Sequence, residues 1–157
     1  TGNSTLGFTF QRGRSAEPGF GQLVYQEGYI NISNLGKALE IEVDENTVQV
    51  ELPPESPECL RLVVVNSMVK NDMIFYRKAD PSRTWIYLNG KAVHSAEYFN
   101  PILNPASPSK PLRIQEATDS SWYMPQAASP FLSTRALSAR EIAETVDPEL
   151  KKACATQ

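Results

Sequence analysis

The chain has 157 residues, with 15 basic and 18 acidic side chains, a formal net charge of −3 and 41% hydrophobic residues. That length suits one domain with its own hydrophobic core. The mild acidic balance offers no electrostatic footprint for nucleic acid or an anionic membrane, so neither is expected as a partner.

Residues 1–15 are polar and Gly-containing, with one apolar patch at Leu6-Gly7-Phe8-Thr9-Phe10 compatible with strand pairing. Leu23, Val24, Tyr25, Tyr29, Ile30 and Ile32 mark strand over 22–32. The clearest alternation runs from Leu39 to Leu52. Leu39, Ile41 and Val43 share one face, Glu40, Glu42 and Asp44 the other, and Val48, Val50 and Leu52 follow a turn at Asp44-Glu45-Asn46. Period-2 patterning of this kind predicts a half-buried antiparallel hairpin.

Pro53, Pro54 and Pro57 break the chain before Leu60–Val65, an apolar run expected as a central strand, and Met73-Ile74-Phe75-Tyr76 predicts another. Such runs are strand-length, far below the ~20 apolar residues of a membrane span. Trp85–Leu88 leads into Asn89-Gly90, and Lys91-Ala92-Val93 resumes the pattern. Asn-Gly tolerates the positive φ angles of a type I′ turn, which predicts a tight hairpin. Pro101, Pro105, Pro108 and Pro111 make 100–111 an extended loop, followed by a short strand over 112–115. Ser138 with Glu141 three residues later forms a capping box, and the helix-favouring Ala139–Glu144 follows; Asp147-Pro148 can open a second short helix. About nine strands with terminal helical turns predict an all-β antiparallel sandwich.

Cys59 and Cys154 lie far apart and lack the spacing of a zinc or redox motif. Two readings stand. A disulfide would tie the C-terminal tail to the body, worth about 4–5 kcal/mol for a loop near a hundred residues. Two unrelated thiols would suit an intracellular chain. The triplets Asn3-Ser4-Thr5 and Asn31-Ile32-Ser33 are glycosylation acceptor patterns and favour the oxidised reading. Thr1 is not an initiator and no leader is visible, so a processed product or a part of a larger protein is expected.

Three ordered strings resemble the laminin-G-like domains of the concanavalin-A-like jelly-roll superfamily. Gly36-Lys37-Ala38-Leu39-Glu40-Ile41, followed by Asn46–Pro54, is similar to that family's "G-K-A-L-x-F" and "D-Y-V-x-L-P" strands. Trp85–Val93 resembles its "L-Y-V-N-G-K-L-V" hairpin, and Arg135–Ala143 its closing "R-A-L-S-A-E-E-I". The chain departs from the family before the hairpin, where Cys59–Val65 only loosely replaces a "W-H-H-V-A" strand. The resemblance implies a sandwich over 36–146, with 1–35 as an edge strand or linker and 147–157 as a tail. It also implies an extracellular or cell-surface adhesion or assembly module that binds glycans, other proteins or neighbouring domains of its parent chain.

Some members bind calcium, but the loop acids Asp72, Asp80 and Asp119 make no ligand set, so no cofactor is expected. β-Glucanases of the superfamily carry "E-[ILV]-D-x-x-E", and Glu40, Glu42 and Glu45 approximate it. Carboxylates at i and i+2 of a strand share a face and reach the roughly 5.5 Å of a retaining glycosidase. Glu42 stands where that motif needs Asp, and a row of carboxylates is also what the solvated face of a strand presents. The single histidine, His94, has no identifiable triad partners. A non-enzymatic binding module is therefore expected, with a lectin-type module as the alternative and a glycoside hydrolase as the remote one. The aromatic loops offering Tyr98 and Phe99, and Trp122 and Tyr123, are the expected ligand contacts, suited to sugar stacking or protein hot spots.

Overall fold

In a computed structural model of the chain the described residues are 3–11, 21–28, 30–35, 37–43, 46–53, 58–68, 82–98, 110–114 and 127–155. Among them the strands are β1 (Ser4–Gln11), β2 (Gly21–Gln26), β3 (Ile30–Asn34), β4 (Ala38–Val43), β5 (Asn46–Glu51), β6 (Cys59–Met68), β7 (Ser82–Leu88), β8 (Lys91–Tyr98), β9 (Arg113–Ile114) and β10 (Ala127–Ser133). A helical run closes the chain: α1 (Ala139–Glu141), a π-helical turn (Ile142–Val146) and α2 (Asp147–Ala155). The strands form two five-stranded antiparallel sheets, ordered β10-β1-β6-β7-β8 and β5-β4-β3-β2-β9. The all-β sandwich with a short C-terminal helix is as expected.

Alternation builds the core between the sheets. Leu6, Phe8 and Phe10 of β1 and Leu60, Leu62 and Val64 of β6 face Ile32, Leu39 and Ile41 of the second sheet, all buried. A second cluster covers the outer face of the first sheet. There Ile142, Val146 and Leu150 press on Val63 and Val65, flanked by Trp85, Tyr87 and Phe131. Residues four apart overrun a 3.6-residue turn by about 40° each time, so a strict α-helix would rotate these three off one line. The wider π turn absorbs part of that drift. β6 is therefore buried on both faces, which explains its unbroken apolar run Leu62–Val65.

The segment before residue 36, expected as an edge strand or linker, instead supplies an interior strand and two strands of the second sheet. β1 lies between β10 and β6. Thr5 and Thr9 alternate with the core residues Leu6, Phe8 and Phe10 and are nonetheless buried. Thr5 Oγ1 donates to Arg135 O at 2.8 Å and accepts from Leu137 N at 3.0 Å. A Cβ on Gly7 would lie 3.3 Å from Val146 Cγ1. Small outward residues here make room for the helical run. Within 147–157, expected as a tail in which Asp147-Pro148 can open a short helix, α2 forms over 147–155, and the disulfide Cys59–Cys154 fastens its end to β6 with a Cα–Cα distance of 5.6 Å.

Local chemistry sets the remaining joints. Asn89 and Gly90 adopt φ of 52° and 81°, closing the β7–β8 hairpin as the Asn-Gly pair predicts. One register shift past Ile86 leaves Val93 as an extra residue of β8. Ser138 caps α1: its Oγ accepts from Glu141 N, and its own N–H donates to Glu141 Oε1, both at 3.2 Å. The expected strand at 73–76 and the turn residues Asp44 and Glu45 lie outside the described residues. No helix among the described residues is long and apolar enough to cross a membrane.

Candidate binding face

The two sheets treat their outer faces differently. That of the first sheet is capped by the helical run; that of the second carries exposed or half-buried polar side chains. Strand pairing sorts these into two rows. One row runs Arg113 (β9), Tyr25 (β2), Asn31 (β3), Glu42 (β4) and Thr47 (β5) as successive cross-strand partners. The other runs Gln22, Ser33, Glu40 and Gln49. Neighbouring strands stand about 4.8 Å apart, and same-face residues about 6.8 Å along a strand. The rows therefore form a grid on the scale of a sugar ring.

A bulge makes the grid possible. The β2–β3 register shifts between Gln22 and Val24, so Leu23 and Val24 both turn inward and are buried. Gln22 and Tyr25, three residues apart, then share the outer face. Gln22 Nε2 donates to Asn31 Oδ1 at 3.0 Å, and Ser33 Oγ donates to the same oxygen at 3.4 Å. Asn31 is thus fixed with its Oδ1 engaged. Gln49 Nε2 donates to Glu40 Oε2 at 3.5 Å. At the β2–β9 end the surface sinks into a pocket of about 290 Å³ lined by Gln22, Leu23, Tyr25, Arg113 and Ile114. Such a face offers amide and hydroxyl donors, carboxylate acceptors, one aromatic ring and one guanidinium.

Of the expected contact residues, only Tyr98 is among the described ones. Tyr98 ends β8 in the first sheet, while Phe99, Trp122 and Tyr123 lie outside the described residues. Glu40 and Glu42 do share a face of β4, and both sit in the grid; Glu45 is outside the described residues. Asn31 of the second acceptor triplet stands mid-grid, and Asn3 of the first precedes β1. His94 is half-buried on β8 opposite Ile86, and its Nε2 is buried with no hydrogen-bond partner among the described residues. No three metal-ligating side chains converge among the described residues; Asp72, Asp80 and Asp119 lie outside them. Sequence reading missed Tyr25, Gln22 and Arg113 as site residues. The bulge disguises the periodicity that would have grouped the first two, and a two-residue β9 is too short to show any.

No protein-family model and no curated protein matches the sequence. Solved structures do match the fold. The botulinum neurotoxin type G receptor binding domain superposes with a TM-score of 0.63 at 10% identity, over 95% of this chain and 38% of that one. A botulinum neurotoxin serotype D/C binding domain gives 0.61 at 10%, over 94% and 36%. A protein from Bacteroides ovatus described as carbohydrate-binding gives 0.59 at 12%, over 91% and 40%. At such identities the likeness is one of fold alone, an antiparallel β-sandwich. The chain spans well under half the length of these neighbours, which are binding proteins rather than catalytic ones by description.

Proposed function

We propose that this chain is a non-enzymatic carbohydrate-binding module whose site is the polar outer face of the second sheet. One observation carries the reading: a two-row grid of hydrogen-bonding side chains around Tyr25 stays open to solvent, while the helical run lies over the centre of the opposite face. An aromatic ring beside convergent polar groups is what a pyranose needs, its apolar face stacking and its hydroxyls bonding sideways. The descriptions of the structural neighbours, which name gangliosides and carbohydrate, support the same class of ligand. The adhesion or assembly role expected from the laminin-G-like strings is compatible with it, since holding a glycan on another surface is one way to adhere. The disulfide supports a secreted or cell-surface location.

A protein partner is the second reading, favoured by one neighbour solved in complex with rat synaptotagmin II. A glycan array separates the two. The expected result is binding to a defined subset of glycans that Tyr25→Ala weakens tenfold or more. Silence across the array would sink the carbohydrate reading and leave the protein one.

A further inference from the structure

Resting on that reading, we propose that the β2–β9 pocket selects a sugar bearing a single carboxylate, with the acid on Arg113 and the ring on Tyr25. Arg113 is exposed, is the direct cross-strand partner of Tyr25, and makes no ion pair among the described residues. Arginine presents a planar fork of donors that matches a carboxylate in two parallel hydrogen bonds. Here the fork and the Tyr25 ring line the same pocket.

The rest of the grid decides how many charges the ligand carries. Its other charged residues, Glu40 and Glu42, are both acidic and sit on β4. Glu42 is three strands from Arg113, about 14 Å at the usual interstrand spacing. That exceeds the Debye length of about 8 Å at physiological salt, so a carboxylate held by Arg113 hardly senses it. A second anion placed over Asn31 or Ser33 would stand one strand from a glutamate and be repelled. Uncharged hydroxyls fit there instead, donating to Glu40 and Glu42 and pairing with Gln22 and Ser33. The ligand is therefore acidic at one end and neutral over the rest, such as a glycan capped by one sialic or uronic acid, and not a polyanionic chain.

Affinity would be measured by titration calorimetry for 3′-sialyllactose, a glucuronic-acid-capped disaccharide, lactose and heparin. Arg113→Gln and Arg113→Lys would be compared with Arg140→Gln, an exposed arginine on α1, as control. The expected result is that at least one carboxylated probe binds tenfold or more tighter than lactose and heparin. Arg113→Gln abolishes the difference, Arg113→Lys keeps part of it, and Arg140→Gln leaves it intact. Equal binding of lactose and the carboxylated probes, unmoved by Arg113→Gln, overturns this inference and leaves the carbohydrate reading standing. Heparin binding best through Arg113 also overturns it. No binding of any probe, with an array silent as well, removes both.

Discussion

Arg61 of β6 and Asp147 at the start of α2 form an ion pair, Nε to Oδ1 at 2.7 Å, with their side chains only 15% and 19% exposed. Asn89 joins the same corner: its Oδ1 accepts from Arg61 N at 3.0 Å, and its N–H donates to Arg61 O at 2.8 Å. The hairpin tip, an interior strand and the helical run thus meet at one residue.

Asp147→Asn is expected to destabilise the fold by about 1–3 kcal/mol, because it leaves a largely buried guanidinium without its counter-charge. Arg61→Gln combined with Asp147→Asn should cost less than the two single losses added together. Urea unfolding of the four proteins measures the coupling, and strict additivity would show that the pair contributes nothing of its own.

Gly90→Ala is expected to cost about 1–2 kcal/mol. At φ of 81° a side chain is strained, and a Cβ there would stand 2.9 Å from Asp147 Oδ2. Thermal unfolding reads the loss, and an unchanged midpoint would show that the corner yields freely.

Replacing both Cys59 and Cys154 by Ser is expected to lower stability by about 2–5 kcal/mol, since the bond closes a loop of 95 residues in the unfolded chain. Amide exchange should quicken first over residues 139–155. Uniform quickening across both sheets would mean that the helical run does not open on its own.

Gly7→Val should destabilise by about 1–3 kcal/mol through overpacking, with Gly7→Ala costing less. Val146 Cγ1 and Leu150 Cδ1 lie only 3.3 and 3.4 Å from where the first added carbon would go. Fluorescence of Trp85, in the cluster under the helical run, should shift with the displaced helix. An unshifted spectrum with full stability would refute the tight fit.

Glu141 is held below the ordinary glutamate range, chiefly by the Ser138 backbone N–H, with Arg135 adding to the effect. Its folded value is depressed, so the stabilisation is present above the unfolded value near 4.3. It is lost as pH falls through the folded value. The capping box should therefore fray under acid, visible as movement of the Ser138 amide resonance over that range. Glu141→Gln should remove the transition, and its persistence in that variant would assign it to another group.

What the sequence determined by itself was local. Alternation over Leu39–Leu52 announced β4 and β5, Asn89-Gly90 the hairpin turn, and Ser138 with Glu141 the start of the helical run. Each needs only neighbouring residues and the backbone's own preferences. Tertiary structure alone decided what those pieces enclose. Small outward residues in β1 gain their meaning from the helix that lies over them, and Cys59 found Cys154 because α2 docks on β6. The candidate site is the extreme case. Arg113, Tyr25, Asn31 and Glu42 come from four strands and align only through interstrand register, with a bulge at Leu23 turning Gln22 and Tyr25 to the same side. Register is a long-range property, set by how the core packs, and no local pattern carries it.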